Sequence, residues 1–138
     1  MTSPHEFLHP KSWKPALGYS NGIAAEGRMV FTGGMVGWTG DQTFESDDFV
    51  DQVRQALQNI VDVLAEGGEG PEHIVRLTWY VTDKQDYLSR LKDLGRAYRE
   101  VLGRHYPAMA LVQVVALVED RAKVEIEATA VIPPPGKG

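Results

Sequence analysis

The sequence predicts an α+β domain: one mainly antiparallel sheet with two helices on a single face. Three patterns carry that prediction. In "KVEIEATAV" (123–131), Val124, Ile126, Ala128 and Ala130 alternate with Glu125 and Glu127, the period of a strand with one covered face. In 47–68, Val50, Val53, Leu57, Ile60, Val61 and Leu64 repeat at helical spacing, with acidic residues at the start and Gly67-Gly68 at the end. A second stripe, Tyr87, Leu91, Leu94, Tyr98 and Val101, predicts a helix over 84–102 that Gly103 stops.

The other elements fall around these. Residues 1–17 hold Pro4, Pro10 and Pro15 and read as an extended arm. "YSNGIAAEGRMVFTGG" predicts two short strands about a turn at Glu26-Gly27, followed by a glycine-rich loop. "HIVRLTWYVT" is a strand with β-branched and aromatic residues on both faces. "MALVQVVALV" and "AKVEIEATAV", joined by "EDR", predict a closing hairpin, and 133–138 a flexible tail. The order is β-β-α-β-α-β-β over one domain, 18–132.

A chain of 138 residues with 43% hydrophobic and 24% charged residues suits one soluble domain. A net charge of -5 argues against a broad basic surface for nucleic acid. The absence of cysteine removes disulfides and thiolate chemistry and suits a reducing compartment. No export signal is evident, and the longest apolar run is too short to cross a bilayer, so the expected place is the cytoplasm, away from membranes.

Two literal motif matches fail on context. "HEFLH" (5–9) has the zinc-protease spacing, but Pro4 and Pro10 leave it barely one helical turn. "GYSNG" (18–22) has the nucleophile-elbow pattern, which requires a strand before it and a helix after it. Here Pro15 lies upstream and a strand is predicted downstream. "TGGMVGWTG" lacks the Lys-Ser/Thr ending of a phosphate loop, and the arginines of the second helix read as a solvated face.

One mismatch points outside the chain. "MALVQVVALV" is apolar on both faces, whereas two helices cover only one face of a sheet. The other face needs a partner, and copies of the same chain in a closed assembly are the simplest one.

Taken together, "GYSNGI", "GRMVFTGG", "QVRQALQNIVDVLAEGG", "IVRLTWYVTD", "YPAMALVQV" and "KVEIEATAV" resemble the RidA (YjgF) family, in order, from Tyr19 to Val131. The resemblance implies the chorismate-mutase-like α+β fold, assembled as a homotrimer with clefts between subunits. It also implies hydrolysis of reactive enamines and imines to keto acids and ammonia. Carried over residue by residue, the implied site is Tyr19, Gly33 with Gly34, and Glu125 as the acid/base that positions water. The arginine that would clamp a substrate carboxylate falls at Met109, whose thioether carries no charge. Gly95 stands where many family enzymes have an asparagine.

A substrate other than the usual amino-acid-derived one is therefore expected, with Arg28 or Arg76 as possible replacement cations. Glu127 is expected to be structural. The alternative to an enzyme is a trimer that binds a small molecule or a protein without turnover; ribonuclease activity is disfavoured by the acidic balance. No metal or organic cofactor is implied.

Overall fold

A computed structural model describes residues 3–135. Its centre is β7 (Val124–Ile132). Antiparallel to one side of it run β3 (Arg28–Phe31) and then β4 (Met35–Val36); antiparallel to the other runs β5 (Ile74–Val81). Beyond β5 lies β6 (Ala108–Gln113), parallel to it, giving the order β3-β7-β5-β6 with β4 also on β7. A separate ribbon pairs β1 (Glu6–Leu8) with β2 (Gly22–Ala24).

The long helix α1 (Phe49–Glu66) starts on Asp48, whose carboxylate accepts from the Asp51 backbone N–H at 3.1 Å, satisfying a donor the helix leaves unpaired. Its predicted stripe faces the sheet: Val50, Val53, Leu57, Ile60 and Leu64 are buried with Leu77, Trp79, Val81, Val124, Ile126 and Ala128. The helix α3 (Leu91–Leu102) adds Leu94, Ala97, Tyr98 and Leu102 to the same core. Both helices therefore cover one face, and the core lies between them and the sheet.

Three local expectations are corrected. The second helix is two pieces: α2 (Lys84–Leu88) stops at Ser89, and α3 begins after Arg90. Arg90 leaves helical geometry and pairs with Asp48 at 2.8 Å and Asp93 at 3.1 Å, tying the break to the start of α1. Leu91, counted in the apolar stripe, is consequently 53% exposed. The strands about Glu26-Gly27 do not pair with each other; β2 joins the arm and β3 joins β7. The final hairpin is absent as well. The predicted strand over 109–118 ends at Gln113, and 114–123 is a loop. β6 and β7 flank β5 on opposite sides, because the helical crossover from β5 to β6 makes those two parallel neighbours. Within the arm, expected to be extended, residues 6–8 form the strand β1.

Both rejected motifs have non-matching backbones. His5 and His9 flank an extended strand, which separates them by roughly 13 Å, too far to share a metal ion. Gly18-Tyr19-Ser20-Asn21-Gly22 runs into β2, a strand, where an elbow needs a helix.

Candidate functional site

The uncovered face of the sheet follows from the registers, since directly paired residues point to the same side. Because Leu77, Trp79 and Val81 point to the helices, Arg76, Thr78 and Tyr80 point away. Tyr80 is paired with Glu125, Thr78 with Glu127, and Arg76 with Thr129. On the far side of β5, Ala108, Ala110 and Val112 continue the same rows, and Phe31 of β3 joins Thr129. Glu125 and Glu127 are half-buried on this face. The opening alternation of β7 therefore describes a real division, with hydrocarbon toward the helices and carboxylates away from them.

Where β3 gives way to β4, three residues, 32–34, stand opposite two of β7, 127–128. This is a one-residue bulge, a device that re-aims a strand edge. Thr32 brackets it: its N–H donates to the Ala128 carbonyl at 2.9 Å, and its Oγ1 accepts from the Ala128 N–H at 3.0 Å. The bulge brings Gly34 against the Glu125 side chain so closely that a Cβ there would lie 2.8 Å from the carboxylate carbon. Gly33 meets nothing and is exposed. Of the residues expected from the sequence, the structure thus joins Gly34 and Glu125.

Glu127 has a partner of its own. The Tyr80 hydroxyl donates to its Oε1 at 3.0 Å, and that bond, with burial and the neighbouring carboxylates, pushes the phenol pKa up. Tyr80 therefore remains a protonated donor beside Glu125 and Glu127. The sequence reading omitted it, although its alternation with Leu77, Trp79 and Val81 marks it as facing away from the core.

Tyr19 and Met109 lie elsewhere. Ser20 bridges to Ala108, with its N–H on the Pro107 carbonyl at 3.0 Å and its hydroxyl on the Tyr106 carbonyl, so Tyr19 sits beyond the β6 edge. Three strand spacings, roughly 14 Å, separate the Tyr19-Ser20 segment from β7. Met109 is paired with Leu77 and packs against the core on the helix side, so it does not share the face of Glu125.

The two expected replacement cations separate too. Arg28 donates from Nη1 to the Gly67 carbonyl at 2.6 Å. Arg76 lies on the Glu125 face, two rows away beside Thr129, and makes no ion pair among the described residues.

Comparison with known proteins bears on this arrangement. The model of the endoribonuclease L-PSP family matches residues 10–132. The chain belongs to the RidA (YjgF) family. Protein DfrA of Myxococcus xanthus is 36% identical over 132 residues, 90% of this chain and 93% of its own. TdcF of Escherichia coli strain K12, whose name proposes a reactive intermediate deaminase, is 32% identical over 76% of this chain and 80% of its own. Among solved RidA-family structures, YyfB of Yersinia pestis, described as of unknown function, superposes with a TM-score of 0.83 at 26% identity, covering 94% of this chain and 99% of that one. E. coli TdcF, solved with bound serine, has a TM-score of 0.67 at 29% identity, covering 92% and 98%. This RidA chain shares the family's fold. Among the described residues, no helix is long and apolar enough to cross a membrane, and no group of three His, Cys, Asp or Glu is placed to hold a metal.

Proposed function

We propose that the chain is a cytoplasmic RidA-type homotrimer that hydrolyses a small imine or enamine in clefts between subunits, and that its substrate is not the usual amino-acid-derived one. The observation carrying this reading is the split of the candidate residues. Glu125 and Gly34 meet on the open face of the sheet, while Tyr19 stands beyond the opposite edge. One copy cannot close a pocket from both groups; two copies, each contributing one group, can. Exposed Met29, Phe31 and Val112 on the uncovered side give copies an apolar surface to bury.

In such a cleft Glu125 is the general base. It takes a proton from a water that attacks the protonated imine carbon, then returns a proton to the nitrogen of the resulting carbinolamine, which leaves as ammonia. The products are a ketone or aldehyde and ammonium. Tyr80, held by Glu127, is an adjacent donor. Met109 offers no carboxylate clamp, both for its chemistry and for the side to which it points.

A second reading, binding without turnover, draws on that same missing clamp. Semicarbazone trapping separates the two readings. With imines generated in situ from primary amines and from amino acids, wild type should deplete imine from the amine-derived series and Glu125→Gln should not. Equal trapping with and without wild type, across both series, would leave only the binding reading. RNA cleavage is not expected of the rigorously repurified protein.

A further inference from the structure

Outside the open face, one cleft is walled on one side by residues N-terminal to the family match. The ribbon strand β1 crosses the turn between α3 and β6 and is anchored at three points. The Ser3 hydroxyl donates to the Glu72 carbonyl at 2.8 Å, His5 Nε2–H donates to the His73 carbonyl at 3.2 Å, and Phe7 meets the His105 ring edge-on at 5.8 Å. This wall lies N-terminal to residues 10–132, which the family model matches.

The turn beneath it is equally fixed. Gly103, at φ +72, ends α3 in a conformation that favours glycine. Next, His105 is buried, with Nε2–H donating to the Ile74 carbonyl at 2.7 Å and its own carbonyl accepting from the Tyr98 hydroxyl at 2.6 Å. Tyr106 stacks on Tyr98 at 5.2 Å. With residues 103, 105 and 106 held, Arg104 is left exposed, and it makes no ion pair or hydrogen bond among the described residues.

Between ribbon and turn lies an open cleft of about 480 Å³, whose walls include His5, Phe7, Tyr19, Arg104, His105 and Tyr106. In a chain with 19 acidic residues against 14 Lys and Arg, no Asp or Glu among the described residues lines it. Burial lowers the His105 pKa, so that ring stays neutral at neutral pH and Arg104 supplies the fixed charge. A planar, permanently charged guanidinium beside aromatic walls is suited to an acid group carried on an apolar or aromatic body.

We infer that this cleft binds a small organic anion, with its acid group on Arg104 and its body against Phe7 and Tyr19. A carboxylate and a phosphate ester both fit, since both present the same paired oxygens to arginine. The cleft adjoins the proposed site through Tyr19, and the inference rests on that reading only for this connection. An acid held here lies away from position 109, which fits a ligand whose acid group is remote from its reacting carbon.

The test is fluorine NMR titration of the full-length protein with 4-fluorobenzoate, 4-fluorophenyl phosphate and neutral 4-fluorobenzyl alcohol. At least one anion is expected to bind saturably, and more tightly than the alcohol, with affinity falling as salt rises. Arg104→Gln should weaken the anion by roughly tenfold, the scale of one charge-assisted contact. Arg104→Lys should restore part of the loss, and Phe7→Ala should weaken the same probe. The preferred anion tells carboxylate from phosphate recognition. Equal binding of the alcohol, no saturable binding, or affinity unchanged by Arg104→Gln would overturn the inference. Because binding is read without turnover, absent imine hydrolysis would remove the functional reading and leave the cleft standing, whereas insensitivity to Arg104→Gln would do the reverse.

Discussion

The two faces of β7 have the same backbone and opposite fates. Toward the helices, Val124, Ile126, Ala128 and Ala130 are buried by α1 and the neighbouring strands. Away from them, Glu125, Glu127 and Thr129 are half-buried, while nearby Phe31 is 64% and Met29 55% exposed. The difference separates a face that one chain closes alone from a face that it leaves uncovered. The covered face is closed by helix packing, and the uncovered one carries the candidate chemistry together with apolar surface that a single copy does not cover.

Substitutions on the covered side should have the largest effect. Leu77→Ala removes a fully buried side chain and should cost about 2–5 kcal/mol in urea unfolding. On the other face, Phe31→Glu should leave the circular dichroism of the folded chain intact and shift light-scattering mass to smaller species. A similar stability loss with unchanged mass would mean Phe31 belongs to the core of one copy.

Gly34→Ala sharpens the point. The added Cβ meets the Glu125 carboxylate, a flexible side chain rather than backbone, so stability should change little while any imine hydrolysis falls at least tenfold. Retained activity with an ordinary rate would detach Glu125 from the proposed chemistry.

Smaller effects are expected from two buried groups. His105 has its pKa lowered chiefly by burial, so the folded state binds a proton less readily than the unfolded state. Its contribution to stability is whole above the unfolded histidine pKa of about 6.5 and declines as pH falls through that value toward the folded one. A thermal-melt series should show this slope, and His105→Gln should flatten it. Glu69 is the reverse case. Both carboxylate oxygens are buried without a hydrogen-bond partner among the described residues, and burial raises the pKa. Its cost appears as pH rises through the raised folded pKa, so Glu69→Gln should stabilise the protein at neutral pH and lose that advantage in acid.

Much of the covered face was legible in the sequence, because hydrophobic period is a direct record of burial. The stripe of α1 and the alternation of β7 map onto the core residue by residue, except for half-buried Val61. Pairing was harder. The run 109–118 looks like one long strand beside β7, yet it stops at Gln113 and its partner is β5. The overlooked signal was the helix between β5 and β6, which favours parallel neighbours over a hairpin. The break at Ser89-Arg90 was also invisible, since it depends on Arg90 reaching Asp48 across 42 residues. Met109 had no readable direction, because β6 is apolar on both faces and only its register with Leu77 assigns a side. Tyr80 could have been found by continuing the alternation of β5. The separation of Tyr19 from Glu125 depends on strand order, which local pattern does not encode.

Mixing two defective variants asks whether the site is shared between copies. Tyr19→Ala and Glu125→Gln would be refolded together, mixed assembly confirmed by mass, and imine hydrolysis compared with each variant alone. A composite site predicts recovery in the mixture, because some clefts then combine an intact Tyr19 from one chain with an intact Glu125 from another. Confirmed mixed assemblies without recovery, beside an active wild type, would contradict the shared site; an inactive wild type would contradict the enzyme itself.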